Sequence, residues 1–239
     1  MIGLSRLLKA TLMAAAVALP MAAQAGTVTL DASSYYRAEG RNYSWGHLNW
    51  AQQPTALPGA GTIAAQQNDG YSSYYHRADS TFDFTTPDVW TTQFDVTSAL
   101  RAQQGWTNGY ARSYFSTDFF LSDRHEYDLT GFFSDSGPHV GTWEVYIEDL
   151  ATNTKVYDSG VVSGSSLDLT SAALSGILDG GHYLFYVRAQ LTGHVTFSTT
   201  TGGGSASLNL HYVPEPASLA LFGLGVLGLG AARRKYKTV

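Results

Sequence analysis

In residues 142–148, Trp143, Val145 and Ile147 alternate with Thr142, Glu144, Tyr146 and Glu148. Only an extended strand sends neighbouring side chains to opposite faces, so this repeat predicts a strand with one apolar and one polar face. The rhythm recurs. Tyr183, Phe185, Val187 and Ala189 share a face in 182–190, and Val195 and Phe197 repeat the pattern briefly. Ala206, Leu208, Leu210 and Tyr212 then alternate with Ser205, Ser207, Asn209 and His211. A chain dominated by a period of two buries its apolar faces by packing sheet on sheet.

Turn chemistry separates these runs. Asp149, Leu150, Ala151, Thr152 and Asn153 predict a hairpin turn into 154–158, and Asp179-Gly180-Gly181 predicts a turn into the strand at 182. Gly202-Gly203-Gly204 reads as the joint between the last two strands. Less regular strands are expected near 27–30, 33–37, 71–76, 81–84, 90–96, 111–121 and 127–133. Residues 98–104 suggest one short helical turn, and 48–67, with Pro54, Pro58, Gly59 and Gly61, reads as a long loop. About ten strands in a body of this size predict an all-β fold, an antiparallel two-sheet sandwich. No blade-length repeat favours a propeller.

The two ends differ from this body. Arg6 and Lys9 precede an apolar run over 10–21, and Ala23-Gln24-Ala25 is a small-x-small cleavage site. These features predict a signal helix over 1–25, removed by signal peptidase to leave Gly26 first. At the other end, Val213-Pro214-Glu215-Pro216 leads into an uncharged run over 217–232 and then Arg233, Arg234, Lys235 and Lys237. Prolines on both sides of Glu215 keep that segment out of sheet and helix interiors. The uncharged run would span roughly 24 Å as a single hydrophobic helix at ~1.5 Å per residue. The basic residues after it would stay cytoplasmic. By itself, an uncut membrane anchor fits the same residues.

The order of a Pro-Glu-Pro segment, one short apolar span and a basic end resembles the PEP-CTERM sorting signal of bacteria that secrete exopolysaccharide. The resemblance implies an exosortase-type membrane peptidase as partner, cutting near Pro214, Glu215 and Pro216. It implies transient anchoring in the inner membrane, then a cell-surface or extracellular-matrix location. The expected organisation is therefore leader 1–25, β-sandwich 26–213 and sorting signal 214–237. From about Glu126 onward, the Tyr127-Asp128-Leu129 strand, the Trp143 hairpin and the turn at 178–183 are similar to the jelly-roll sandwiches of carbohydrate-binding modules.

Charge and cysteine content narrow the function. Of 14 basic residues, Arg6, Lys9, Arg233, Arg234, Lys235 and Lys237 belong to the end segments. That leaves eight against 19 acidic residues over 26–216, a net charge of about −11. An acidic body argues against nucleic acid and anionic polysaccharide as electrostatically driven partners, leaving a metal-bridged contact with an anionic glycan open. The absence of cysteine removes thiol nucleophiles, thiolate metal sites and disulfides.

No catalytic motif stands out. There is no G-x-S-x-G, H-E-x-x-H, Walker loop or dinucleotide fingerprint, and no two of the seven histidines stand four residues apart. Trp45, Trp50 and Trp106, beside Asn42, Asn49, Gln52 and Asn108, are candidate glycan platforms, because sugars stack their C–H faces on aromatic rings. Packing in the core or in turns is the alternative for each ring. Trp143 is assigned to the core by its alternation. Asp123, Glu126 and Asp128 offer hard oxygen ligands to Ca²⁺. The alternative is a solvated loop paired with Arg124. The expectation is a non-catalytic, exported surface or matrix protein that binds a glycan such as exopolysaccharide. A polysaccharide hydrolase or lyase, or a purely structural matrix component, stays open.

Overall fold

The computed structural model describes residues 26–214, apart from 32, 34, 43–47, 55–58, 69–74, 89–90, 104–108, 137–139, 165, 171–173 and 194–198, together with Gly223. The expected signal helix and, Gly223 apart, the C-terminal hydrophobic helix lie outside these residues. Among the described residues no helix is long and apolar enough to cross a membrane.

The chain runs through β1 (Val28–Leu30), β2 (Tyr35–Asn42), β3 (Leu48–Pro54), β4 (Gly59–Asn68), β5 (Tyr75–Asp88), β6 (Thr91–Gln103), β7 (Gly109–Leu121) and β8 (His125–Ser136). It continues through β9 (Gly141–Asp149), β10 (Thr154–Asp158), β11 (Val162–Gly164), β12 (Ser166–Asp168), β13 (Leu174–Leu178), β14 (Gly181–Gly193) and β15 (Thr199–Tyr212). The first sheet has the order β10-β9-β14-β7-β2-β3, with β1 on the far end of β7 and β11 on β9. The second has the order β12-β8-β15-β6-β5-β4, with β13 on β8. All the paired strands are antiparallel. This is the all-β, two-sheet architecture that the alternation requires.

The core forms between the sheets from the apolar sides of these repeats. Phe115, Phe119, Trp143, Ile147 and Phe185 from the first sheet meet Leu129, Phe133, Leu208 and Leu210 from the second. Trp143 is fully buried, as its parity predicts. Its ring stacks on Phe133 at 5.7 Å, and its Nε1 donates to the Gly164 carbonyl at 3.3 Å. Burying one side chain of this size contributes roughly 1.5–3 kcal/mol by area. The hairpin at 150–153 also forms as expected. Asn153 takes φ 51°, and Asp149 Oδ1 accepts from the Ala151 amide at 2.8 Å.

Three expectations fail, each for a reason of pairing. Residues 48–67 are not one loop, because they hold β3 and most of β4, with only 55–58 between. Pro54 closes β3, a strand at the end of its sheet's order, where a missing amide is tolerated. Residues 98–103 are not helical but lie in β6, where β5 and β15 supply ladder partners on both sides and override local preference. Gly202, Gly203 and Gly204 are not a joint but sit inside β15, opposite Asp135, Ser134 and Phe133. Gly204 has φ 158°, and a Cβ there would strike the backbone of Phe132 and Phe133. Glycine thus lets β15 close against β8.

Candidate functional site

The outward face of the first sheet carries the side chains that the core does not use. Along β7 the odd residues from Ala111 to Leu121 are buried, so Tyr110, Arg112, Tyr114, Ser116, Asp118 and Phe120 have the opposite parity. Register aligns Glu39 and Gln190 with Arg112, Arg37 and Arg188 with Tyr114, and Tyr35 and Tyr186 with Ser116. On the far side of β14, Tyr146 stands opposite Tyr186 and Glu144 opposite Arg188. Ten residue steps from Tyr110 to Phe120 cover about 34 Å at ~3.4 Å each.

Glu39 organises one end of this face. Its parity is outward, since Ala38 faces the core, yet it is only 2% exposed. Arg37 Nη2 pairs with its Oε1. Arg112 donates to its Oε2 from Nη2 at 2.5 Å and from Nε at 3.0 Å, and Tyr110 donates its hydroxyl to the same oxygen at 3.4 Å. Arg112 Nη1 also reaches Gln190 Oε1 at 3.5 Å. The Arg112 guanidinium lies 4.7 Å from the Tyr110 ring centre and 4.4 Å from that of Tyr114. Burial works against its charge, but the bond to Glu39 leads the opposing effects, and the net shift favours the charged form. A carboxylate between two guanidinium groups is an anchor: it fixes both arginines, and through Arg112 it fixes two aromatic rings.

The aromatic rings continue across the sheet. Tyr146 stacks on Tyr186 at 4.7 Å, and Tyr114 meets Tyr186 at 6.4 Å with a tilt of 50°. Lys155 Nζ sits 4.2 Å from the Tyr146 ring centre and pairs with Asp158 at 2.9 Å. Arg188 Nε lies 3.6 Å from Glu144 Oε2. Burial holds the Tyr114 and Tyr186 hydroxyls far above the ordinary phenol range. Burial, with Glu144 adding, pushes Tyr146 up to about 12. All three therefore remain neutral hydroxyls in ordinary conditions, able both to donate and to accept. Near the far end of β7, Phe120 is 41% exposed and stacks flat on His182 at 3.9 Å.

The outward face of the second sheet is chemically plainer. Glu126, Asp128, Thr130, Phe132 and Ser134 of β8 lie opposite His211, Asn209, Ser207, Ser205 and Gly203 of β15. Asp128 Oδ2 is 3.6 Å from His211 Nε2, with both side chains about half exposed. Gln93 Nε2 reaches Ser207 Oγ at 3.5 Å.

The residues singled out in the sequence fall differently from one another. Trp50 lies in β3, opposite Glu39 in register and thus in line with Arg112 and Gln190. Trp45 and Trp106 lie outside the described residues. Asp123 sits in the β7–β8 turn and accepts from the Ser122 hydroxyl at 2.7 Å, while Glu126 and Asp128 belong to the second-sheet face. Among the described residues no three His, Cys, Asp or Glu side chains come together to hold a metal ion, so the structure does not gather Asp123, Glu126 and Asp128 into a Ca²⁺ site. Arg124 pairs not with that run but with Asp179, at 2.9 Å. Tyr110, Tyr114, Tyr146 and Tyr186 were not among the sequence candidates. An aromatic on the polar side of a strand repeat was the signal available for Tyr146 and Tyr186.

The same β7–β8 turn holds both ends of the body. Ser122 donates its amide to the Thr27 carbonyl at 3.1 Å, and its hydroxyl accepts from the Thr27 amide at 2.8 Å. The Val213 amide donates to the Arg124 carbonyl at 2.9 Å. Between these contacts, the buried His125 ring meets Tyr212 edge-on at 5.8 Å, and its Nδ1 lies 2.9 Å from the Asp123 carbonyl. Gly26 is buried against the same two rings: any Cβ there would press on Tyr212 and come 2.8 Å from His125 Cε1. Pro214 is described just beyond Val213, whereas Ala23, Ala25, Glu215, Pro216, Arg233, Arg234 and Lys235 lie outside the described residues.

Residues 213–235 match the PEP-CTERM protein-sorting motif. The motif marks an exported protein that is anchored transiently in the membrane and processed by an exosortase, itself a membrane protein. No curated protein matches the chain. Among solved structures, a chain of infectious bursal disease virus, Gx strain, aligns at 9% identity and a TM-score of 0.29 over 81% of this chain. The enzymatically active domain of tailspike protein 4 of bacteriophage CBA120 aligns at 10% identity and a TM-score of 0.22 over 63% of it. This chain spans 59% of the viral chain and 18% of the tailspike chain. Likeness this slight bears on neither fold nor activity.

Proposed function

We propose that this exported, exosortase-sorted protein works outside the inner membrane as a non-catalytic glycan-binding module. The binding surface is the outward face of the first sheet. The observation that carries the reading is the set of half-buried tyrosines, Tyr114, Tyr146 and Tyr186, held beside a guanidinium that the buried Glu39 fixes in place. Aromatic faces can stack on the C–H faces of sugar rings, and neutral phenol hydroxyls, Gln190 and Arg188 can bond to sugar hydroxyls. The length of the face suits a chain ligand such as exopolysaccharide. Trp50 is paired with Glu39 in the β2–β3 register.

Glu39 fits an anchoring role better than an acid–base role in hydrolysis. Both of its oxygens are engaged by arginines, and a general acid must instead hold a proton it can give away. The reading is tested with mature protein collected from the exporting host and applied to an array of bacterial and plant polysaccharides. Retention of at least one polysaccharide, lost in Tyr114→Ala and Tyr186→Ala protein, supports it. Retention of none favours the purely structural matrix role. Depolymerisation of a bound polysaccharide favours the hydrolase or lyase.

A further inference from the structure

The charges of the body are spread unevenly, and the register of the first sheet shows where they balance. Of the eight basic residues in 26–216, Arg37, Arg41, Arg112, Lys155 and Arg188 all occupy outward-parity register positions of this one sheet. Five of the 19 carboxylates share those positions: Glu39, Asp118, Glu144, Glu148 and Asp158. The face therefore sums to about zero. Three basic and 14 acidic residues remain for the rest of the body, and they carry its whole excess of about −11.

The balance holds contact by contact. Glu39 takes both Arg37 and Arg112, and Arg112 directs a further N–H to Gln190 Oε1 at 3.5 Å. Asp158 holds Lys155 at 2.9 Å beside the Tyr146 ring, and Arg188 Nε stands 3.6 Å from Glu144 Oε2. A sugar carboxylate or sulfate arriving here has to draw a cation away from a carboxylate it already serves. The displaced carboxylate is then left uncompensated in a partly buried place, which is costly. The acidic remainder of the body also repels a polyanion on approach. A sugar hydroxyl meets neither barrier. Ring faces take its C–H neighbours, and neutral phenols and the Gln190 amide can bond to it without breaking an ion pair.

We infer that the ligand of this face is an uncharged polysaccharide, and that the paired carboxylates on the face exclude anionic ones. The inference rests on the glycan-binding reading and narrows it to one chemical class.

The test passes mature protein from the exporting host over immobilised neutral polymers (dextran, mannan, hydroxyethyl cellulose) and anionic ones (alginate, polygalacturonate). Retention is expected on at least one neutral polymer and should be lost in Tyr114→Ala/Tyr186→Ala protein. It should change by less than about twofold from about 10 mM to about 1 M NaCl, across which the screening length shrinks from roughly 30 Å to roughly 3 Å. Equal or stronger retention on an anionic polymer, with or without Ca²⁺, overturns the inference and leaves glycan binding standing. Neutral retention that survives the tyrosine changes places the ligand elsewhere and overturns it too. Retention on no polymer removes the glycan-binding reading and this inference with it. A second arm alters the pairing itself. Glu144→Gln/Asp158→Asn protein has two cations released on the face and should bind alginate about tenfold more strongly than wild type at about 0.1 M salt, where charges within ~10 Å dominate. The gain should vanish at about 1 M. No gain in a variant whose circular dichroism matches the wild type shows that these carboxylates do not exclude anions.

Discussion

The two outward faces of the sandwich share one backbone logic and carry different chemistry. Both belong to long antiparallel strands whose other side makes the core. On the first sheet the outward residues include a cluster of tyrosines and arginines, locked by a carboxylate that is itself buried. On the described β8–β15 part of the second they are mostly serine, threonine, asparagine and aspartate, with Phe132 exposed among them. A sheet face needs only solubility to satisfy the fold, and the second face meets that need with small polar groups. Burying a carboxylate between two guanidinium groups on an outer face gains little over an apolar substitute, because desolvation offsets most of the attraction. What such a network gains is geometry, here a fixed spacing of rings and donors. The contrast supports the first face as the proposed binding surface.

The sharpest way to break the contrast is to remove its anchor. Glu39→Ala leaves Arg37 and Arg112 without their shared counter-charge and should cost about 3–5 kcal/mol in chemical denaturation. Asp128→Ala on the second face removes one end of a half-exposed pair and should change stability by no more than about 0.5 kcal/mol. Equal costs would erase the distinction between the faces.

Alkaline pH offers a second separation. Tyr146 is pushed up to about 12 in the fold, above its ordinary value near 10. A raised folded-state value stabilises below the unfolded value and is lost as pH climbs through the folded one. Stability should hold to about pH 10 and fall between about 10 and 12, with the Tyr146 phenolate, read as the absorbance difference between wild type and Tyr146→Phe protein, appearing only as the protein unfolds. Early, smooth ionisation of Tyr146 in folded protein would show that its ring is not packed as described.

A smaller effect belongs to the β7–β8 turn, apart from either face. Burial lowers the pKa of His125, against opposing effects from Asp123 and with a further lowering by His211. The unfolded chain then binds a proton that the folded one refuses. The contribution of His125 is complete above about 6.5 and is lost as pH falls from there toward the lower folded value. Melting temperature followed from pH 7 to 5 should drop more in the wild type than in His125→Phe protein. Parallel slopes would remove His125 from the pH response.

The sequence made the core legible and the proposed binding face only half so. Trp143, Val145 and Ile147 could be assigned inward because parity is a local property. The same parity put Tyr146 and Tyr186 on the polar side, but an outward tyrosine looks ordinary until its neighbours are known. Glu39 gave no local signal at all. Its partners Tyr110 and Arg112 lie 71 and 73 residues away, and only the β2–β7 register brings them to it. The segment 48–67 was misread because proline and glycine mark turns locally, whereas its strands exist through long-range pairing. The meeting of Gly26 with Tyr212 was equally hidden, since nothing short of the fold joins the two ends.

Glycan binding by the first face and not the second is the proposal most open to direct measurement. The direct measurement is calorimetric titration of mature protein with the polysaccharide retained on the array, comparing Tyr114→Ala/Tyr186→Ala with Ser207→Ala/Asn209→Ala. Binding lost in the first pair and unchanged in the second is the predicted result. Binding that survives the tyrosine changes, or that falls equally in both pairs, would contradict it.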